Sequence, residues 1–194
     1  MHRYYIFYKP FGVLSQFSRE GEKQTLADYF KGIDKNIYPV GRLDFDSEGL
    51  LLLTNDKVLT HRLLEPKFLH KRTYWAQVEG MITDEVIEEL EEGVNVNING
   101  KIYRTRKAIV KKFEHEPEVP ERNPPIRFRK NIPTCWISLT ITEGKNRQVR
   151  KMTAAVGNPT LRLIRYSIGS IDISDLQPGD YKELNQAEVN NLFS

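Results

Sequence analysis

The chain is poor in sulfur, with one cysteine and three methionines among its 194 residues. A lone Cys135 excludes an internal disulfide, and without a CxxC pair or a His/Cys cluster the sequence offers no metal-ligand spacing. Equally missing is any apolar run near the roughly 20 residues of a membrane span. The opening MHRYYIFYKPFG lacks the apolar stretch of a signal peptide. A reducing cytoplasm is the expected compartment. There is no internal repeat, and 194 residues do not comfortably make two large independent domains. The expectation is one catalytic or binding domain over residues 1–194, with one sizeable core or built as two lobes.

What the chain does contain is ordinary for a folded protein: 39% hydrophobic and 28% charged residues. Its net charge of +3 is too small to mark a nucleic-acid binder. The distribution says more. Cations gather in HKRTYW from His70, KIYRTRKAIVKK from Lys101, RFRK over Arg127–Lys130 and KNRQVRK over Lys145–Lys151, whereas MITDEVIEELEEG is acidic. Basic blocks interleaved with aromatics suit a phosphate backbone and unstacked bases.

Extended structure dominates the local signals. RYYIFYKP reads as a strand ended by Pro10 and Gly12, IYPVGRLD as a short one, and LLLL (Leu50–Leu53) as a strand buried on both faces. A helix capped at Thr54 or Asn55 follows, with Val58, Leu59, Leu63 and Leu64 at helical spacing and a stop at Pro66. KRTYWAQVEG alternates as a strand. Thr83 opens a helix that Gly93 closes, and Asn99-Gly100 marks a hairpin whose return strand is KIYRTRKAIVKKF. FEHEPEVPERNPPIRFRK, with four prolines and no periodicity, is expected to be an arm over the surface. TCWISLTIT is a strand with Cys135 facing the core, KNRQVRKMTAAVG a helix, PTLRLIRYSIGS a strand and QAEVNNLF a small helix.

The stretch GRLDFDSEGLLLLTND, Gly41–Asp56, carries the chemistry. Asp44, Asp46 and Glu48 begin like a calcium loop, but the twelfth position is Asn55 and the second half is a leucine strand. In an extended chain Asp44 and Asp46 would share a face about 6.5–7 Å apart, a conceivable acid and base pair. Asp-Ser-Glu-Gly is also good turn chemistry, so Asp46–Gly49 reads as a turn. Asp44 sits beside Arg42 where a loop meets a buried strand, an environment for one reactive carboxylate. Spacing alone does not say what it reacts with.

YPVGRLDFDSEGLLLLTND resembles the signature segment of the RsuA-type pseudouridine synthases. KRTYWAQVEG resembles their Lys-x-Tyr segment, TEGKNRQVRKM their Glu-Gly-Lys/Arg-Asn-Arg-Gln-Val-Arg segment, and YYIFYKPFGVLSQ their opening Lys-Pro strand, in matching order from about Tyr4 to Leu184. Most members carry an S4-like RNA-binding domain ahead of that strand. Here it begins within ten residues of Met1, so no such domain is expected, as in the short members that modify a uridine in 23S ribosomal RNA.

The resemblance implies an α+β pseudouridine synthase fold, a mainly antiparallel mixed sheet flanked by helices with an active-site cleft. It also implies isomerisation of uridine to pseudouridine in 23S ribosomal RNA or a large-subunit assembly intermediate, by a monomer that needs no cofactor and no metal. By the same resemblance Asp44 is the essential carboxylate, acting as nucleophile at the ribose or base at its C2′. Tyr74 stacks near the uracil, and Arg150 pairs with Asp44, with Arg147 able to exchange roles with it. Arg42 fills the place of the flipped base. Lys9, Lys145 and the basic strand Lys101–Lys112 hold phosphates.

Overall fold

In the computed structural model residues 2–126 and 132–192 are described. The chain forms two compact units, one of residues 1–70 and 165–194 and one of residues 71–164.

The first unit is built on β1 (Tyr4–Lys9), buried at all six positions. Pro10, lacking an N–H, follows where the strand ends, and Gly12 turns the chain at φ +73°. Short strands β2 (Val13–Leu14) and β3 (Gln24–Thr25) pair in parallel. Strand β4 is only Tyr38–Pro39, because the rest of IYPVGRLD leaves the sheet to form the turn described below. Strand β5 (Glu48–Thr54) pairs antiparallel with β1 from Tyr4↔Thr54 to Lys9↔Gly49, and takes β4 on part of its other edge. Its four leucines are at most 1% exposed. At about 1.5–3 kcal/mol for each side chain removed from water, they make β5 the anchor of whatever precedes it.

Helix α1 (Lys57–Leu64) starts one residue later than the sequence signal. Its N-cap is Asp56, whose carboxylate accepts from the Val58 and Leu59 amides and from the Tyr4 hydroxyl. Thr54 is still in the strand, its hydroxyl donating to the Arg3 carbonyl.

The second unit has a sheet of β6 (Arg72–Glu79), β9 (Ile109–Lys112) and β10 (Thr134–Ile141), with β10 antiparallel to both. Between β6 and β9 come α2 (Asp84–Glu92) and the hairpin β7 (Asn95–Ile98) to β8 (Lys101–Arg104). Thr83 caps α2, and Gly93 ends it at φ +91°, against the Thr105 carbonyl, with no room for a Cβ. Asn99 and Gly100 both take positive φ, as the expected hairpin requires. The return strand is not continuous. Thr105 is buried and its hydroxyl accepts from the Val94 amide, and Ala108 donates to the Glu91 carbonyl, so residues 105–108 fold onto the end of α2.

Ala76, Val78, Leu90, Val96, Ile137, Leu139 and Met152 form the core of this unit, the last from α3 (Gln148–Ala155). Cys135 belongs to that core, its thiol donating to the Gly80 carbonyl. The proline-rich arm lies along β10 without helix or strand from Phe113 to Ile126. Phe113 packs edge-on to Trp75, and Glu116 accepts from the Trp136 indole. Its basic end, Arg127–Lys130, lies outside the described residues.

The chain returns to the first unit within β11 (Thr160–Ile168), which turns back into β12 (Ile171–Asp172). Strand β13 (Tyr181–Glu183) pairs antiparallel with β1, and α4 (Gln186–Asn191) ends the described chain behind an Asn185/Glu188 capping box. Every pair named is antiparallel except β2–β3 and the helices are short, which is the expected α+β class. No helix among the described residues is long and apolar enough to cross a membrane.

Candidate active site

In the first unit the acidic stretch is a turn fixed from several sides. Leu43 is buried, and Ser15 holds both of its backbone groups, donating to its carbonyl at 2.8 Å and accepting from its amide at 3.1 Å. The next carbonyl, of Asp44, accepts from the Ser47 amide at 3.1 Å, so Phe45 and Asp46 are the centre of a β-turn. The Phe45 carbonyl accepts from Gly12 at 2.9 Å. Asp44 is therefore a half-buried carboxylate on an immobilised backbone, flanked by exposed Arg42 and Phe45. The turn lies two residues earlier than the expected Asp46–Gly49. Ser47 and Glu48 are buried, and Glu48 and Gly49 already belong to β5.

Behind the turn three charged residues are buried together. Lys9, Glu48 and Arg165 are 0%, 2% and 5% exposed. Lys9 donates to the Pro10 and Val13 carbonyls at 2.9 and 2.8 Å. Burial pushes its ammonium from 10.5 down to about 7, against the upward pull of Glu48, Asp46 and Asp44. Arg165 donates from Nε to the Leu50 carbonyl at 2.8 Å. It passes so close to β5 that a Cβ at Gly49, where φ is +104°, would lie 2.7 Å from the Arg165 nitrogen. This corrects the expectation for Lys9: wholly removed from solvent and committed to two carbonyls, it is not a phosphate ligand. It fastens the Lys-Pro turn behind the acidic turn.

The second unit holds the other expected residues. Tyr74 on β6 stands opposite Leu139 of β10 and packs, half-buried, against the core on the same face as Ala76 and Val78. Ahead of α3 the chain is tied by buried Glu143, which accepts from the Tyr103 hydroxyl, the Arg106 amide and the Gln148 side chain at 2.5, 2.9 and 2.6 Å. Gln148 in turn accepts from the Lys145 amide at 3.0 Å. The helix consequently starts at Gln148, three residues later than expected. Lys145 and Arg147 are exposed ahead of it, Lys145 over the Tyr103 ring at 5.0 Å and Arg147 at the N-cap with φ +51°. Arg150 lies inside the helix, half-buried, and donates to the Thr160 carbonyl at 3.4 Å. Arg147 and Arg150 thus differ in conformation and exposure, which speaks against an exchange of roles.

A family model described as RNA pseudouridylate synthase matches residues 3–155. The chain belongs to that family. Over 179 residues this synthase is 49% identical to a protein of Vibrio parahaemolyticus named ribosomal large subunit pseudouridine synthase E, covering 92% of this chain and 72% of that one. A Xanthomonas campestris protein of the same name is 49% identical over 176 residues, covering 90% and 91%. A Bacillus subtilis protein named ribosomal large subunit pseudouridine synthase B is 35% identical over 189 residues, covering 97% and 70%. A crystal structure of a pseudouridylate synthase matches 99% of this chain and 74% of its own, with TM-score 0.80 and 26% identity.

The sequence pattern gives Ser15 and Arg165 no role and puts Glu48 in a turn, where the structure buries it in β5. The one available signal was in TLRLIRY, where Arg162 and Arg165 interrupt a run of strand-forming apolar residues and must find partners if the strand is buried. Arg162 finds the Pro120 carbonyl and the Trp136 ring.

Proposed function

We propose that this pseudouridine synthase acts on a uridine of 23S ribosomal RNA, free or in an assembling large subunit, with Asp44 as the reacting carboxylate. The target is suggested by the large-subunit synthases at 49% identity. The role of Asp44 rests on one observation above all: it is a half-buried carboxylate on a backbone fixed by Ser15, Ser47 and Gly12, with Lys9 and Arg165 buried behind it. A group that must meet a ribose carbon in a defined direction gains most from such fixing.

The reaction breaks the bond between ribose C1′ and uracil N1, turns the uracil, forms the bond from C1′ to C5, gives the C5 proton to solvent and takes up one proton at the freed N1. Atoms and electrons are conserved. Asp44 acts at the ribose, attacking C1′ or taking the C2′ proton, and both routes need it ionised. Arg150 supplies the cation that pairs with it, and Tyr74 the aromatic surface and hydroxyl for the uracil and its C5 proton. The target base leaves its stack to reach Asp44, and exposed Arg42, two residues away, fills the vacated place. Exposed Lys145 and Arg147 bind phosphates.

The wild-type protein is expected to release tritium from 5-labelled uridine in a 23S transcript, without strand breaks or free uracil. Carbodiimide mapping by primer extension then locates the base. A wild type that binds the transcript and releases no label would rule this function out.

A further inference from the structure

Helix α1 and the 3-10 turn after it, Pro66–Phe68, carry a surface that the site above does not use. In sequence, residues 57–70 hold Lys57, Arg62 and Lys67 with His61 and His70, against one carboxylate, Glu65. The helix buries Leu59 and Leu63 and leaves Lys57, Val58, His61, Arg62 and Leu64 exposed. Apolar bulk is exposed beside the charge: Val58 is 79% exposed and Phe68 43%. The Phe68 ring has the Arg62 guanidinium 6.0 Å and the Lys67 ammonium 5.0 Å from its centroid. The His70 ring lies 6.0 Å away, tilted by 30°. Leu69 takes φ +53° between them, a conformation unusual for a bulky side chain.

We infer that this face is a second docking surface for the substrate RNA, in which Arg62 and Lys67 hold backbone phosphates and Phe68 stacks on an unpaired base. The inference rests on the reading of the chain as an RNA-acting synthase. Charge argues for a polyanion, and an exposed ring between two cations suits a base lying next to its own phosphates. Position argues for the same strand that enters the active site. A Cβ at Gly41 would lie 3.0 Å from Leu64 Cδ2, so the end of α1 packs against the residue preceding Arg42 and only three before Asp44. An RNA segment with its uridine at Asp44 continues across this face.

The test uses the full chain and short uridine-containing RNAs taken from the 23S transcript, with binding followed by fluorescence anisotropy over a salt series. Replacing both Arg62→Gln and Lys67→Gln is expected to weaken binding about tenfold and to lower the salt slope by about 1.4, the share of two single-strand phosphates. Phe68→Leu keeps apolar bulk and should weaken binding at least about fivefold, while Phe68→Tyr restores it. The pair Lys31→Gln and Lys35→Gln changes net charge equally on exposed residues elsewhere and is expected to stay within about twofold of wild type. All these side chains are exposed, and circular dichroism checks that each variant folds. Patch variants that bind like the Lys31/Lys35 control, or a Phe68→Leu protein that binds like wild type, overturn the inference while leaving the synthase reading intact. A wild type without tritium release, whose binding still depends on Arg62, Lys67 and Phe68, would end the synthase reading and spare this one.

Discussion

Lys9 donates a hydrogen bond from a wholly buried ammonium to the Val13 carbonyl at 2.8 Å, closing the Lys-Pro turn beneath the backbone that carries Asp44. Burial lowers its pKa from 10.5 to about 7, so its contribution to stability depends on pH. Between about pH 7 and 10.5 the unfolded chain keeps the proton that the folded chain has released. Unfolding then takes up a proton, and rising pH favours the folded state. Relative to Lys9→Met, the wild type should gain stability across this window in urea melts. A pH-independent difference between the two would show that Lys9 titrates alike in both states.

Ser15 is expected to position Asp44 without touching substrate. Ser15→Ala leaves the buried Leu43 amide and carbonyl each without the partner seen here, at a cost of about 1–3 kcal/mol. With the turn loosened, kcat should fall about 10- to 100-fold. RNA affinity should change little. Ser15→Thr, which keeps the hydroxyl, should restore much of the loss. Lower stability with unchanged kcat would reduce Ser15 to a structural residue.

Glu143 performs the same service for the basic loop before α3. Glu143→Gln places a side-chain amide among the Arg106 and Gln148 donors and replaces an ionic acceptor with a neutral one. A loss of about 2–3 kcal/mol is expected in denaturant melts. Hydrogen exchange at residues 143–148 should quicken, and RNA binding weaken as Lys145 and Arg147 lose their setting. Unchanged exchange in that loop would contradict the account of how it is built.

Much of the fold was legible because local chemistry specifies it. Four leucines make a buried strand wherever they are put in a sheet, Asn99-Gly100 demands a hairpin, and Thr83 and Gly93 bracket α2 by their own capping geometry. The misreadings share a different cause. The break at residues 105–108 follows from Thr105 meeting Val94 and Ala108 meeting Glu91. The late start of α3 follows from Glu143 and Gln148 tying the preceding loop. The sequence suggests a phosphate-holding Lys9 because its burial needs β1, β5 and β11 assembled, and no stretch of sequence contains all three. Asp44 was legible as a singular carboxylate; the turn that carries it lay two residues from where the acidic pattern placed it.

The central claim is that Asp44 is a reacting group. Asp44→Asn preserves the shape of the side chain and removes its charge and nucleophilicity. The deciding measurement is tritium release from 5-labelled uridine in the 23S transcript, taken with the affinity for the same RNA. The account predicts that Asp44→Asn lowers release by at least about 10³-fold while the affinity stays within a few-fold of wild type. Release near the wild-type rate, or loss of binding and release together, would contradict it.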